Sequence, residues 1–98
     1  VELGAQHAIV SLGGDGALLF TPQEVIYAPP LSGEVANPVG SGDPMVAGFV
    51  GTFIRTGDPL EAFRVAVACG TATAFSPDIA TADEIEVQLA RVVLEKIE

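Results

Sequence analysis

The feature that most constrains the fold is a change in hydrophobic period near residue 44. Before that point, apolar and β-branched residues form short runs between glycine- and proline-containing turns, a pattern typical of β-strands. These runs predict three short strands in the first 30 residues, over residues 8–12, 17–20 and 25–28. Breakers then predict a loop up to Val39.

Beyond that loop, apolar residues recur at helical spacing. Five of them fall on one predicted helix face: Val46, Phe49, Val50, Phe53 and Ile54. Pro44 suits the first helical turn, where an N–H group would lack a partner. Gly57 fits the end of this helix because glycine adopts the left-handed conformation common there.

Two further helix starts follow. Asp58 is a candidate N-cap with an acid three residues on, which predicts a second helix to about Phe75. Thr81 and Glu84 form a third such pair, and an apolar stripe predicts that the helix continues to the end of the sequence. The stripe comprises Ile85, Leu89, Val92 and Val93. Strands followed by helices predict an α/β fold, and open strand edges indicate part of a larger domain.

Composition narrows the possible functions. The 98 residues suffice for at most one domain, and the net charge is −9 with only four scattered basic residues. Nucleic acids and anionic membranes are therefore unexpected partners. The single cysteine, Cys69, excludes an internal disulfide and favours a reducing, cytoplasmic location. His7, the single histidine, is predicted to be a surface residue before a strand. Because the first residue is Val1, we expect a processed or excerpted chain.

The turn formed by Gly40, Ser41 and Gly42 leads into the first helix, with Asp43 at the junction. Free N–H groups at a helix start bind anions, and glycine lets a ligand approach the backbone. Two hypotheses for Asp43 stay open: a helix cap, or a base that accepts a proton during phosphoryl transfer. No lysine lies nearby, which excludes the nucleotide-binding P-loop.

The segment NPVGSGDPMVAGF, from Asn37 to Phe49, closely resembles the C-terminal signature of the PfkB (ribokinase-like) carbohydrate kinases. It looks most like the branch of 1-phosphofructokinases and tagatose-6-phosphate kinases. Asn37 stands where the general pattern has Asp. The segments SLGGDGALLF and AVACGTATAF resemble the family's earlier strand–turn–strand and its nucleotide-side helix. The resemblance implies that residues 1–98 are the C-terminal part of a three-layer α/β/α domain.

The resemblance also implies site residues. Asp43 matches the catalytic base, and Gly40, Ser41 and Gly42 match the anion hole for the transferring phosphoryl group. The positions that match the ATP site are Ser11, Gly13, Gly14, Gly16, Ala66 and Gly70. ATP and Mg²⁺ are the cofactors that the family implies. The oligomeric state stays open, with a homodimer of the full-length chain as one possibility.

The expected reaction is phosphorylation of a primary hydroxyl of a ketohexose monophosphate. The resemblance leaves fructose 1-phosphate, fructose 6-phosphate and tagatose 6-phosphate open as substrates. The family's sugar pocket and lid precede the residues matched here, so the isolated segment is expected to be inactive. The rival hypothesis is a non-catalytic anion- or nucleotide-binding assembly module in which Asp43 only caps a helix.

Overall fold

The computed structural model describes residues 2–4, 7–12, 15–31, 33, 42–75 and 80–97, with only the backbone described for residues 2–4 and 42–43. Within these residues the chain forms five strands and three helices. The strands are β1 (Glu2–Gly4), β2 (His7–Ser11), β3 (Ala17–Phe20), β4 (Val25–Ala28) and β5 (Glu95–Lys96). The helices are α1 (Gly42–Thr56), α2 (Pro59–Phe75) and α3 (Ala82–Leu89). No helix in the described ranges has the length and apolar character needed to cross a bilayer.

All of these strands pair antiparallel with their neighbours in the order β1-β2-β3-β4-β5. The three predicted strands are confirmed as β2, β3 and β4, with β2 beginning and ending one residue earlier than expected. The Thr21 hydroxyl closes the β3–β4 turn, since it accepts hydrogen bonds from the N–H groups of Gln23 (3.3 Å) and Glu24 (3.0 Å). The outer strands β1 and β5, which were not predicted, pair along the otherwise open edges of β2 and β4.

The core lies on one face of the sheet. Ile9, Leu19 and Ile26 stand opposite one another across β2, β3 and β4, and each is at most 3% exposed. Phe49 of α1 and Phe63 of α2 join the same buried cluster. Burying a side chain of this size contributes about 1.5–3 kcal/mol, so this contact between sheet and helices holds the fold together.

His7 lies on this core side of the sheet, because side chains alternate along a strand and His7 is two residues before Ile9. Its ring centroid is 5.3 Å from that of Phe53 and 6.4 Å from that of Phe49. The prediction of a surface histidine before a strand is therefore wrong: His7 is half-buried and begins β2. Two aromatic residues of α1 cover the ring.

A two-residue connection makes α1 and α2 neighbours. Gly57, at φ +70°, donates its N–H to the carbonyl oxygen of Phe53 (2.8 Å) and ends α1 as predicted. Asp58 then accepts hydrogen bonds at Oδ1 from the N–H groups of Leu60 (3.0 Å) and Glu61 (3.3 Å), which confirms it as the N-cap of α2. The short connection folds the helices back against each other, antiparallel.

The buried face of α1 differs from the predicted one. Phe49 is 1% and Thr52 is 3% exposed, whereas Val50 is 40% and Ile54 is 80% exposed. The predicted apolar stripe is wider than the strip that the core covers, and Ile54 lies outside that strip. Thr52 is buried although it is polar, and apolar spacing alone does not reveal such a residue.

The third helix is shorter than predicted. Its capping box is confirmed, because the Thr81 N–H donates to Glu84 Oε1 (2.8 Å) and the Glu84 N–H donates to Thr81 Oγ1 (3.2 Å). The helix ends at Leu89, however, and the chain continues into β5. Val92 and Leu94 then pack on the core while Val93 between them is exposed. This alternation has the period of an extended chain.

Candidate functional site

The turn between β2 and β3 has a tightly specified backbone. The Leu12 N–H donates to the carbonyl oxygen of Gly16 (2.8 Å), and the Asp15 N–H donates to that of Leu12 (3.1 Å). Gly16 has φ +103°, and a β-carbon there would collide with the carbonyl oxygen of Ala28 and lie 3.2 Å from the nitrogen of Pro30. Only glycine can adopt this positive φ and also fit against Ala28 without strain. The turn therefore sits directly against the end of β4.

Of the turn residues predicted to contact ATP, Ser11 and Gly16 fall within the described ranges. Ser11 is exposed at the end of β2, opposite Ala17, and Gly16 is half-buried. Gly13 and Gly14 lie outside the described residues. Ser11 and the exposed residue Asp15 are thus accessible from the outer end of the hairpin.

Tyr27 fixes this turn from β4. Its hydroxyl donates a hydrogen bond to the carbonyl oxygen of Asp15 at 2.7 Å. Sequence reasoning did not single out Tyr27, because nothing in its spacing shows that a strand residue reaches a turn 12 positions earlier. The main chain of Asp15 belongs to the hydrogen bonds that shape the turn, as expected for a turn residue.

The predicted catalytic motif lies at the start of α1. The backbone is helical from Gly42 onward, so Asp43 is the second residue of the helix and Pro44 lies in its first turn. Gly40 and Ser41 lie outside the described residues. Backbone N–H groups at a helix start carry positive partial charge and attract anions. The described backbone thus puts the junction expected from the motif at a helix N-terminus.

Packing contacts bring the separate parts of the predicted site to one end of the fold. Gly48 faces Cys69 across the antiparallel α1–α2 pair, which puts the start of α1 beside the end of α2. A β-carbon on Gly33, which follows β4, would lie 2.5 Å from the ring of Phe75 at the end of α2. Since the β2–β3 turn also abuts the end of β4, the turn, the end of α2 and the start of α1 share one edge.

The two predicted ATP-contacting positions on α2 are buried. Ala66 has 0% exposure, and Gly70 is buried within the same helix. Ala66 lies against α1, where its α-carbon would be 3.4 Å from a β-carbon on Gly48. Ala66 therefore packs between α1 and α2, and the assignment of both positions to the ATP site stays a prediction.

Three of the four basic residues lie away from this edge, and the fourth, Arg91, donates to Gln88 Oε1 (2.9 Å). Arg55 is in the last turn of α1, and Lys96 pairs with Glu24 (3.8 Å) beside the opposite turn of the sheet. Arg64 pairs with Glu61 (3.3 Å) and donates to the carbonyl oxygen of Leu89 (3.3 Å). Within the described part of the chain, no group of three or more His, Cys, Asp or Glu residues could hold a metal ion.

Comparison with known proteins decides the family. The family described as "pfkB family carbohydrate kinase" matches residues 1–85. The chain belongs to the PfkB family. This confirms the resemblance inferred from the segment between Asn37 and Phe49, and it agrees with the helix that begins within that segment at Gly42.

Individual PfkB relatives extend the match over almost the whole chain. A 1-phosphofructokinase of Bacillus subtilis is 43% identical over 97 residues, which cover 99% of this chain and 32% of the relative. A D-tagatose-1-phosphate kinase of Bacillus licheniformis is 35% identical over 86 residues, covering 88% of this chain and 28% of the relative. The chain thus spans about a third of the length of these PfkB relatives.

Solved structures confirm the ribokinase-like α/β fold of the PfkB chain. A crystal structure of a Staphylococcus aureus protein matches with a TM-score of 0.90 and 47% identity, over 97% of this chain and 31% of that one. Escherichia coli phosphofructokinase-2, in a mutant form, matches with a TM-score of 0.80 and 27% identity, over 88% of this chain and 28% of that one. The five-stranded meander and its helices therefore correspond to one part of a larger PfkB domain.

Proposed function

We propose that residues 1–98 form the C-terminal, nucleotide-side segment of a longer ATP-dependent sugar-phosphate kinase. The enzyme transfers a phosphoryl group from ATP to a primary hydroxyl of a ketohexose monophosphate. The observation that carries this proposal is the shared edge of the fold. Helix α1 starts at Gly42, with Asp43 as its second residue, and this start lies at the same edge of the fold as the β2–β3 turn. Base and nucleotide contacts must meet there for phosphoryl transfer.

In this mechanism Asp43 accepts the proton of the attacking sugar hydroxyl. A carboxylate within hydrogen-bond reach makes the hydroxyl a better nucleophile as the new bond to phosphorus forms. The backbone N–H groups of Gly40, Ser41 and Gly42 are proposed to stabilise the negative charge on the transferring group. Fixed donors at a helix N-terminus supply that stabilisation without reorganising during the reaction.

A comparison of two Asp-Pro pairs favours the base over the helix cap. In α2, Asp58 immediately precedes the helix and accepts hydrogen bonds from the first-turn N–H groups. In α1, the backbone is already helical one residue before Asp43. An N-cap residue lies just outside the helix, whereas Asp43 is the second helical residue and stands two positions further along the chain than the cap. The dipeptide Asp-Pro therefore lies inside the first turn of α1 but across the N-terminal boundary of α2.

ATP is proposed to bind along the β2–β3 turn, with contacts from Ser11, Gly13, Gly14 and Gly16. Ala66 and Gly70 would shape the adenine side through packing, since both are buried. Mg²⁺ is proposed to arrive with the phosphates of ATP, because this ion is commonly held by substrate phosphates and one or two carboxylates. Among the described residues no cluster of three or more His, Cys, Asp or Glu side chains is present to hold the ion without ATP.

A ketohexose 1-phosphate is the favoured substrate. One relative is named for 1-phosphofructose and another for D-tagatose 1-phosphate, so both names place the existing phosphate on carbon 1. Fructose 6-phosphate and tagatose 6-phosphate are the alternatives to be tested. We further propose a cytoplasmic enzyme whose full-length chain forms a homodimer.

The test uses the full-length kinase with Asp43→Asn and, as a matched control, Asp58→Asn. Asparagine caps helices about as well as aspartate, so both variants should keep their melting temperatures. ATP consumption with Mg²⁺ is measured against fructose 1-phosphate, tagatose 1-phosphate and the two 6-phosphates. We expect Asp43→Asn to lower kcat by about a hundredfold to ten-thousandfold, whereas Asp58→Asn keeps the wild-type rate.

Other outcomes would contradict specific parts of the proposal. If Asp43→Asn keeps the wild-type kcat, Asp43 is not the base and the mechanism is wrong. If no sugar phosphate is turned over by the wild type, the kinase assignment fails. Turnover by residues 1–98 alone would contradict the proposal that the sugar site lies elsewhere in a longer chain.

A further inference from the structure

We infer that Tyr27 is a positioning residue for ATP binding, holding the Asp15–Gly16 backbone in place from β4. The inference rests on the proposed function, because it assumes that the β2–β3 turn contacts the nucleotide. Tyr27 itself is not assigned a contact with ATP. It acts through the turn that it braces.

The first observation is the hydrogen bond from the Tyr27 hydroxyl to the carbonyl oxygen of Asp15, at 2.7 Å. Tyr27 pairs with Leu18 across β3 and β4, whereas the neighbouring Ile26 is buried in the core. Alternation along β4 therefore puts Tyr27 on the face opposite the core. From that face the Tyr27 side chain reaches the turn that precedes β3. Its hydroxyl therefore links β4 to this turn and does not contribute to the core.

The second observation is the close approach of the ring to Gly16. A β-carbon on Gly16 would lie 3.1 Å from Tyr27 Cε1, and it would also collide with the carbonyl oxygen of Ala28. The turn is thus bounded by β4 on two sides, by the backbone at Ala28 and by the side chain of Tyr27. Removing the hydroxyl loosens the Asp15 carbonyl while the collision that requires glycine stays in place.

This geometry predicts a selective effect on nucleotide binding. A ligand that binds a preorganised turn loses affinity when the turn must first be ordered. The proposed base, Asp43, lies on α1, whereas Tyr27 lies on β4 and its hydroxyl donates to the β2–β3 turn. Loss of the hydroxyl should therefore raise KM for ATP and leave kcat and KM for the sugar phosphate near their wild-type values.

The experiment compares Tyr27→Phe with Thr21→Val in the full-length kinase. Thr21→Val is the matched control because it also removes a hydroxyl that braces a hairpin turn, but at the opposite end of β3. We expect Tyr27→Phe to raise KM for ATP by about fivefold, the effect of one neutral hydrogen bond. Thr21→Val should lower the melting temperature to a similar degree with KM for ATP unchanged.

A purely structural role for Tyr27 would lower stability in both variants without separating their KM values, and this result would overturn the inference. So would a fall in kcat with KM for ATP unchanged. If the wild type turns over no sugar phosphate, the proposed function fails, and calorimetric titration with Mg-ATP then decides about Tyr27. Weaker ATP binding by Tyr27→Phe than by the wild type supports the inference, whereas equal binding or no wild-type binding overturns it.

Discussion

Gly48 of α1 faces Cys69 of α2 so closely that a β-carbon on Gly48 would lie 3.1 Å from Cys69 Sγ. The same β-carbon would be 3.4 Å from the α-carbon of Ala66. The missing side chain therefore sets the distance between the two helices. That distance in turn puts the start of α1, with its proposed base, beside the end of α2.

Enlarging Gly48 should separate the helices. We expect Gly48→Leu to lower the free energy of unfolding by about 1–3 kcal/mol, the usual effect of inserting extra methylenes into a packed contact. Gly51→Leu is the control on the same helix, since a β-carbon there meets nothing within 4 Å. It should stabilise the protein by up to about 1 kcal/mol through helix propensity. Urea denaturation of the full-length protein variants measures both, and equal effects would contradict the close packing.

Gly16→Ala should destabilise the protein more than Gly57→Ala. Both glycines have positive φ, of +103° and +70°, but only a β-carbon on Gly16 meets other atoms within 4 Å. Gly57→Ala should lower the free energy of unfolding by about 1–2 kcal/mol, the conformational term alone. Gly16→Ala adds the collision with Ala28. Equal losses of stability in urea denaturation would contradict a collision between the β-carbon introduced by Gly16→Ala and the backbone of Ala28.

The N-cap of α2 should contribute a measurable amount of stability. Asp58→Ala removes the acceptor for two N–H groups and should lower the free energy of unfolding by about 1 kcal/mol. Asp58→Asn, which retains a capping oxygen, should change it by only a few tenths of that amount. Denaturation curves in which the two variants lose the same stability would contradict the capping role.

Cys69 should make stability depend on pH in the alkaline range. Burial raises the pKa of the Cys69 thiol above its ordinary value, because the charged thiolate is poorly solvated inside the protein. The stabilising difference is fully present below the pKa of the unfolded chain. As pH rises above that value, the unfolded chain releases the proton first, so stability falls until the folded pKa is passed.

Denaturation midpoints of the wild type and Cys69→Ala, measured from pH 7 into the alkaline range above the ordinary thiol pKa, test this dependence. We expect the wild type to lose stability relative to the variant as pH increases. A constant difference between the two proteins would contradict a shifted thiol. Slow alkylation of the folded wild type by iodoacetamide, compared with the unfolded protein, would support the same conclusion.

The elements that could be predicted from sequence are those whose stability signals are local. The strands β2, β3 and β4 have their own apolar runs and turns, and α2 carries its cap at Asp58. In contrast, β5 contains only Glu95 and Lys96, both exposed, and it exists because it pairs with β4. The apolar stripe predicts too long an α3 for the same reason. The end of this helix depends on the pairing of β5 with β4, which is distant in sequence.

The candidate site shows the same division. A motif of consecutive residues indicated the family and a helix that follows the Gly40–Gly42 turn, with Asp43 at the junction; the helical backbone begins at Gly42, within the predicted turn. The proposed positioning role of Tyr27 depends on a hydrogen bond from its side chain to Asp15 in the β2–β3 turn, and no local sequence pattern predicts such a contact. The burial of Ala66 against α1 could not be predicted either, because the sequence pattern of a small helical residue is the same whether it faces a ligand or another helix.

The pairing of β5 with β4 has a consequence for synthesis on the ribosome. Strand β4 is translated before the three helices, whereas its partner strand β5 follows only after them. At typical elongation rates this interval lasts several seconds, during which an unpaired strand edge is exposed in the nascent chain. We therefore expect chaperone access to the β4 edge during this interval to affect yield without changing the folded protein.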